Sequence, residues 1–192
     1  MSRLYCATGN AGKLSEFRLA AVRTGLEIEG VPDFKTIPPC FEDGATFSEN
    51  AIKKARHYAA YVKDPVFADD SGLVVEALDG APGVYSARYA GPAATDEANN
   101  RLLLEKLRGI TNRAASFVCL IALVEGGRQR GIFAGRVDGV ILDEPRGSSG
   151  FGYDPLFYCP PLGCTFGEAS EEQKFEVSHR GQAFRSMLAR LR

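Results

Sequence analysis

The stretch FADDSGLVVEALDGAPGVYSARYAG, residues 67–91, decides how the rest of the chain is interpreted. The apolar run 65–68 predicts a buried strand that ends at two adjacent carboxylates, Asp69 and Asp70, before a turn at 71–72. Neighbouring side chains on a strand point to opposite faces, so only one of the two acids can face a given cleft. Like charges this close repel each other unless a cation or several donors hold them. The pair therefore indicates either a site for a divalent cation or for catalysis, or an Asp-Ser-Gly turn.

Composition describes an ordinary globular protein without a strong overall electric field. The chain of 192 residues, 45% hydrophobic and 24% charged, suffices for one domain or two closely joined lobes. A net charge of −1 argues against nucleic acid or a membrane as a partner, so an anionic ligand must meet a local cluster of Lys and Arg. Five cysteines without CxxC spacing predict the reduced thiols of a cytoplasmic protein, not a disulfide framework or a zinc site. We find no signal-peptide pattern and no apolar run of membrane length.

The N-terminal segment predicts a binding site for an anion. An apolar strand at 3–7 leads through a turn at 8–10 into a helix that extends from residue 11 to about residue 23. Backbone N–H groups point outward at such a helix start, and Lys13 in the first turn needs a negative partner against the helix dipole. Two positions that the P-loop pattern requires are occupied by alanine and leucine, and the dinucleotide fingerprint is missing. Phosphate binding and a plain strand-to-helix turn both remain open.

The remaining periodicity alternates strands with helices and predicts a mixed α/β fold. Thr46 and Glu49 form a capping-box pattern at the start of a helix on which Lys53 and Lys54 point about 100° apart, so that one can face a cleft while the other is solvated. The further predicted strands are 26–31, 73–78, 115–124, 129–134 and 137–142, and the further predicted helices are 46–61, 95–108, a short helix after Ser170, and a last helix that includes 183–191.

A glycine-rich loop at 147–153 could bind a flat ligand. Its glycines permit close backbone approach, and Phe151 or Tyr153 offers a ring for stacking, although these rings could equally fold into the core. Of the two histidines, His57 lies among helix residues and is interpreted as structural, whereas His179 is a candidate for a site. Acids suited to a metal, an anion site, scattered cations and an aromatic platform together indicate a nucleotide phosphate attacked by water.

Five blocks of sequence, in order, resemble the motifs of the inosine triphosphate pyrophosphatase family. They are ATGNAGK, TFSENAIKKA, ADDSGLVVEALDGAPGVYSARYAG, GFGYDPLF and SHRGQA. The resemblance implies a mixed α/β fold with a long twisted sheet flanked by helices, and one domain over 1–192 with a nucleotide cleft between two lobes. It also implies a cytoplasmic homodimer that hydrolyses ITP, dITP and XTP to the monophosphate and pyrophosphate with Mg²⁺.

The resemblance also implies roles for individual residues. Asp70 is the implied proton acceptor and a Mg²⁺ ligand, Glu42 the other metal carboxylate, and Asp69 a supporting acid. The implied contacts with the triphosphate are Thr8, Gly9, Asn10, Ala11, Gly12, Lys13 and Lys54. Ser71 is implied to touch the substrate next to Asp70. The implied contacts with the purine are Phe151, Gly152, Tyr153, Asp154, Lys174, His179 and Arg180.

Three other functions remain to be tested. They are a pyrophosphatase of modified pyrimidine nucleotides, a simple phosphatase, and a protein that binds single-stranded nucleic acid, which the near-neutral charge disfavours.

Overall fold

A computed structural model describes residues 2–22 and 24–191. These residues form seven strands and five α-helices, with two additional 3₁₀ segments, Glu76–Leu78 and Gly83–Arg88. The strands are β1 Ser2–Cys6, β2 Leu26–Gly30, β3 Val66–Val75, β4 Ala114–Glu125, β5 Arg128–Ile141, β6 Phe157–Cys159 and β7 Cys164–Thr165. The helices are α1 Ala11–Ala21, α2 Phe47–Ala59, α3 Asp96–Lys106, α4 Glu171–Val177 and α5 His179–Leu191. Arg23, near which the first helix was predicted to end, lies outside the described residues.

The strands form one sheet in the order β2-β1-β3-β4-β5-β6-β7. β1 pairs in parallel with β2 and β3, whereas β6 pairs antiparallel with β5 and β7. Parallel and antiparallel pairs in one sheet, together with flanking helices, confirm the predicted mixed α/β class. No helix in the described part of the chain has both the length and the apolar composition needed to cross a bilayer.

The predicted break after the acidic pair is wrong. β3 continues for ten residues, so Asp69 and Asp70 lie inside a strand and the predicted turn at 71–72 does not form. The strand then ends at Val75, and the predicted continuation to residue 78 is instead the 3₁₀ segment Glu76–Leu78. β3 lies between β1 and β4 in the sheet, so both of its edges have strand partners that favour extended backbone.

The predicted division at 134–137 is also wrong, because β5 is one strand of fourteen residues. Burial alternates along it without a change of phase: Phe133 and Val137 are buried, while Ala134 and Arg136 are exposed. A strict period of two through Gly135 is typical of one strand with one buried face. Gly135 occupies a buried position that keeps this alternation.

Helix starts agree with the predicted caps. The Thr46 side chain accepts from the Glu49 backbone N–H, although Glu49 Oε2 accepts in return from Ala45 N, one residue earlier than a capping box requires. Ser170 and Gln173 make both bonds of a complete capping box at α4. The five cysteines are free thiols, as predicted.

The chain divides into two compact units, each with its own core. The first unit consists of 1–70, 119–135 and 180–192, and the second of 71–118 and 136–179. The prediction of a single domain over 1–192 remains a prediction. In the first unit, side chains of β1, β3, β4 and α2 share a core that includes Tyr5, Ala51, Ala55, Tyr58, Val66 and Ala122. In the second unit, the core includes Leu73, Leu103, Phe117, Phe157 and Phe166.

Candidate functional site

The two acids of β3 have different partners in the first unit. Asp69 is fully buried, and its Oδ2 lies 2.8 Å from Lys13 Nζ at the start of α1 and 3.7 Å from Arg180 Nε on α5. Asp70 Oδ2 accepts a hydrogen bond of 3.0 Å from Asn50 Nδ2 on α2. Adjacent residues of one strand therefore use side chains from different helices, as the opposite directions of neighbouring strand side chains require.

The surroundings of the two acids move their pKa values in opposite directions. Burial alone would raise the pKa of Asp69, but Lys13, Arg180 and Lys54 outweigh it and lower that pKa to about 2. Burial raises the pKa of Asp70, and the opposing effects of Lys54, Lys13 and the Asn50 hydrogen bond only partly offset it. Asp69 thus remains a fixed negative charge, while Asp70 is the better proton acceptor of the pair.

Lys54 connects the acidic strand to a third carboxylate. Its Nζ lies 2.7 Å from Glu42 Oε2, and its side chain is only 11% exposed. Burial lowers the pKa of Lys54, but Glu42, Asp69 and Asp70 together raise it above its usual value. We call Lys13, Glu42, Lys54, Asp69 and Asp70 the carboxylate–lysine cluster. The neighbouring Lys53 is 46% exposed, so the two adjacent lysines differ as their separation on the helix predicted.

The carboxylate–lysine cluster has the oxygen ligands that a hard divalent cation requires. The carboxylates of Glu42, Asp69 and Asp70 all raise the pKa of Lys54, so negative charge is concentrated around the Lys54 ammonium. Mg²⁺ typically keeps several waters and takes only one or two protein carboxylates, which suits Glu42 and Asp70. Among the described residues, no group of three or more His, Cys, Asp and Glu side chains forms a ready-made metal cage.

The turn before α1 is organised by its own side chains. Thr8 Oγ1 accepts from Asn10 N at 3.1 Å, and Asn10, the N-cap, accepts from Lys13 N at 3.0 Å. Ala11 and Gly12 occupy the first two helical positions, where helix geometry provides no intrahelical acceptor for the N–H groups. The Lys13 ammonium belongs to the same helix end, where the helix dipole is positive.

The glycine-rich loop of the second unit is built around Asp154. Asp154 Oδ2 accepts from Phe151 N at 2.9 Å and from Lys174 Nζ at 2.6 Å, and both charged side chains are almost fully buried. Gly150 has φ +75°, and a Cβ there would lie 2.1 Å from the same oxygen, so only glycine fits. The Lys174 ammonium also lies 4.8 Å from the centre of the Phe151 ring, a cation–π contact that orients the ring.

The residues predicted to contact the purine are distributed over both units. His179, at the start of α5, is buried and stacks on Phe117 with ring centroids 4.8 Å apart and planes within 9°. It belongs to the second unit with Ser71 and the loop residues, whereas Arg180 belongs to the first. Arg180 Nη1 donates to Glu16 Oε2 at 2.7 Å. The contact of Arg180 with a base therefore stays a prediction, and its visible role is to compensate Glu16 and Asp69.

Sequence reasoning missed Asn50, which is 1% exposed. Its Oδ1 accepts from Gly44 N at 2.8 Å while its Nδ2 donates to Asp70, so it ties the loop before α2 to the acidic strand. A signal was present in the pattern, since Asn50 and Lys54 are four residues apart among alanines on the buried face of α2. Polar groups at such positions need buried partners.

Known proteins resemble this chain over almost its whole length. The sequence model of the Ham1 family matches residues 4–190. The dITP/XTP pyrophosphatase of Geobacter sulfurreducens is 52% identical over 187 residues, which are 95% of this chain and 93% of that protein. The dITP/XTP pyrophosphatase of an Exiguobacterium species is 50% identical over 189 residues, 98% of this chain and 96% of that protein. The solved structure of a Ham1 protein from Coxiella burnetii has a TM-score of 0.88 at 41% identity, covering 100% of this chain and 98% of that one.

Proposed function

This chain belongs to the Ham1 family, as its sequence motifs indicated, and on that premise we propose that it is a nucleoside triphosphate pyrophosphatase. It hydrolyses non-standard purine nucleoside triphosphates such as dITP, XTP and ITP to the monophosphate and pyrophosphate, and so removes them from the nucleotide pool. The observation that carries the proposal is the carboxylate–lysine cluster, in which two cations suited to phosphate lie beside a carboxylate with a raised pKa.

The triphosphate binds to the positive groups of the first unit. Lys13 and the N–H groups at the start of α1 hold phosphate oxygens, because a helix start combines outward donors with a positive dipole end. Lys54 makes a second contact from α2. In the free protein both ammonium groups are held by carboxylates at 2.7–2.8 Å, which keeps them in place before phosphate arrives.

Asp70 accepts the proton of the attacking water. The water oxygen forms a bond to the α-phosphorus, the bond from that phosphorus to the bridging oxygen breaks, and pyrophosphate leaves. A raised pKa makes Asp70 a stronger base than an ordinary aspartate, and the Asn50 hydrogen bond at 3.0 Å holds one carboxylate oxygen in position. Mg²⁺ bound by Glu42 and Asp70 would neutralise phosphate charge and lower the pKa of a coordinated water.

The Phe151 ring of the glycine-rich loop stacks on the purine. Hypoxanthine and xanthine carry a 6-keto acceptor, which suits donors such as the Lys174 ammonium and the His179 ring. Adenine presents an amino group there, and each buried donor left without its partner costs about 1–3 kcal/mol. Ser71, the residue after Asp70, touches the substrate next to that carboxylate.

The family resemblance also supports a homodimer in the cytoplasm. Five free thiols suit a reducing compartment. Light scattering of the purified protein tests the dimer, since a mass near the 20.7 kDa of one chain would contradict it.

A substrate panel tests the function. We expect pyrophosphate and monophosphate from dITP, XTP and ITP, with much lower kcat/KM for GTP and dUTP. Orthophosphate as the first product would indicate a simple phosphatase, and a preference for dUTP would indicate a pyrimidine enzyme. Asp70→Asn, purified in the same way, controls for contaminating phosphatases, and omission of Mg²⁺ tests the metal.

A further inference from the structure

Two side chains of α3 hold both backbone polar groups of Gly152, inside the glycine-rich loop. Gly152 N donates to Asp96 Oδ2 at 2.7 Å, and Gly152 O accepts from Asn100 Nδ2 at 3.0 Å. Asp96 and Asn100 are four residues apart, so they lie on one face of the helix. Together they bind a single residue at its donor and at its acceptor; we call this pair of contacts the α3 clamp.

The clamped residue cannot keep its conformation by itself. Gly152 has φ +63°, and this is only one of several backbone conformations that an unconstrained glycine populates. Glycine loses more backbone freedom on ordering than any other residue, so external contacts are required to select one state. The α3 clamp supplies two such contacts, and one of them comes from a charged acceptor, which makes the stronger type of hydrogen bond.

The neighbours of Gly152 are those expected to contact the base. On one side, Phe151 N bonds to Asp154 Oδ2 and the Phe151 ring lies against the Lys174 ammonium. On the other side, Tyr153 OH donates to Ser86 O at 2.8 Å. A shift of the Gly152 peptide would therefore move the Phe151 ring and disturb the Lys174–Asp154 pair.

We propose that Asp96 and Asn100 are positioning residues for recognition of the purine base, acting through the Gly152 peptide on the ring of Phe151. Neither residue is one of those proposed above to contact the base or the phosphates. The inference rests on the proposed function and adds to it the residues that keep the base-binding loop in its binding conformation. Since the clamp acts on binding geometry and not on the reacting atoms, its loss raises KM and leaves kcat nearly unchanged.

The test compares steady-state kinetics on dITP for single and double variants. Asn100→Ala removes the donor to Gly152 O, and Asp96→Ala removes the acceptor of Gly152 N. We expect each to raise KM about five- to tenfold, the factor that corresponds to the free energy of one hydrogen bond. The kcat of each variant should stay within about twofold of the native value. Asp96→Asn keeps an acceptor oxygen and should restore most of the affinity. Arg101→Ala, an exposed position of the same helix, is the matched control and should leave both constants unchanged.

A Phe151→Ala background separates positioning from general loss of structure. If Asn100 acts through the Phe151 ring, Asn100→Ala should raise KM in the native background and change it little once the ring is removed. An equal increase of KM in both backgrounds, or an effect on kcat alone, would overturn the inference, and so would unchanged KM in both Ala variants. Melting temperatures show whether each variant is folded.

The proposed function and the positioning role fail in different ways. If the native protein releases no pyrophosphate from dITP, XTP or ITP, the proposed function fails. If the native protein releases pyrophosphate and the variants have the same KM and kcat, only the positioning role fails.

Discussion

Replacing Asn50 with alanine should cost more stability than removing an ordinary buried asparagine. Asn50 donates to the buried carboxylate of Asp70 at 3.0 Å and accepts from Gly44 N at 2.8 Å. A hydrogen bond to a charged group contributes about 1.5–3 kcal/mol, and a neutral one about 1 kcal/mol. We therefore expect Asn50→Ala to lower the free energy of unfolding by about 3 kcal/mol.

Urea denaturation of the metal-free protein, followed by circular dichroism at pH 7, measures this change. Asn99→Ala is the matched control, because Asn99 is 2% exposed against 1% for Asn50 and its side chain bonds to two neutral backbone groups, Ala90 N and Ala87 O. Its loss should cost about 2 kcal/mol. The extra cost at Asn50 should disappear when Asp70 is already asparagine, since the charged acceptor is then gone. Equal costs for the two asparagines, with no coupling between Asn50 and Asp70, would refute the reasoning.

Three further predictions concern the two acids of β3, Asp69 and Asp70, and the ammonium of Lys13. Asp70→Asn should abolish pyrophosphate release while the melting curve stays cooperative, and near-native turnover would remove Asp70 as the base. Lys13→Ala should raise KM about tenfold or more with a smaller effect on kcat, since it removes a phosphate contact; an unchanged KM would place the phosphates elsewhere. The Asp69 pKa of about 2 lies below the unfolded value of 3.8 and is equivalent to about 2 kcal/mol of stability, present above pH 4 and lost as the pH falls towards 2. Denaturation of metal-free protein across this range should show that loss, and Asp69→Asn should not.

Local sequence determined where the helices begin. Thr46, Thr95 and Ser170 each accept a hydrogen bond from a backbone N–H three residues later, so the information that starts α2, α3 and α4 lies within one turn of chain. The ordered motifs likewise identified the family, because a family match depends on residue identity and spacing and not on contacts.

Tertiary structure decided the backbone conformation and the charged partners of the acidic pair. From sequence, two adjacent aspartates followed by Ser-Gly favoured the end of a strand, yet β3 continues because the sheet pairs both of its edges. The charges are tolerated there only because partners arrive from distant parts of the chain: Lys13 is 56 positions before Asp69, and Arg180 is 111 positions after it.

The same distinction explains the residues that sequence reasoning missed. Asn50 and the α3 clamp make hydrogen bonds to residues 20 and more positions away, and no local pattern encodes such a partner. A buried polar group can be recognised in a sequence by its position on an apolar helix face. Which residue forms the hydrogen bond with that buried group depends on how the chain packs. The bond contributes free energy only after folding has placed the partner beside the group.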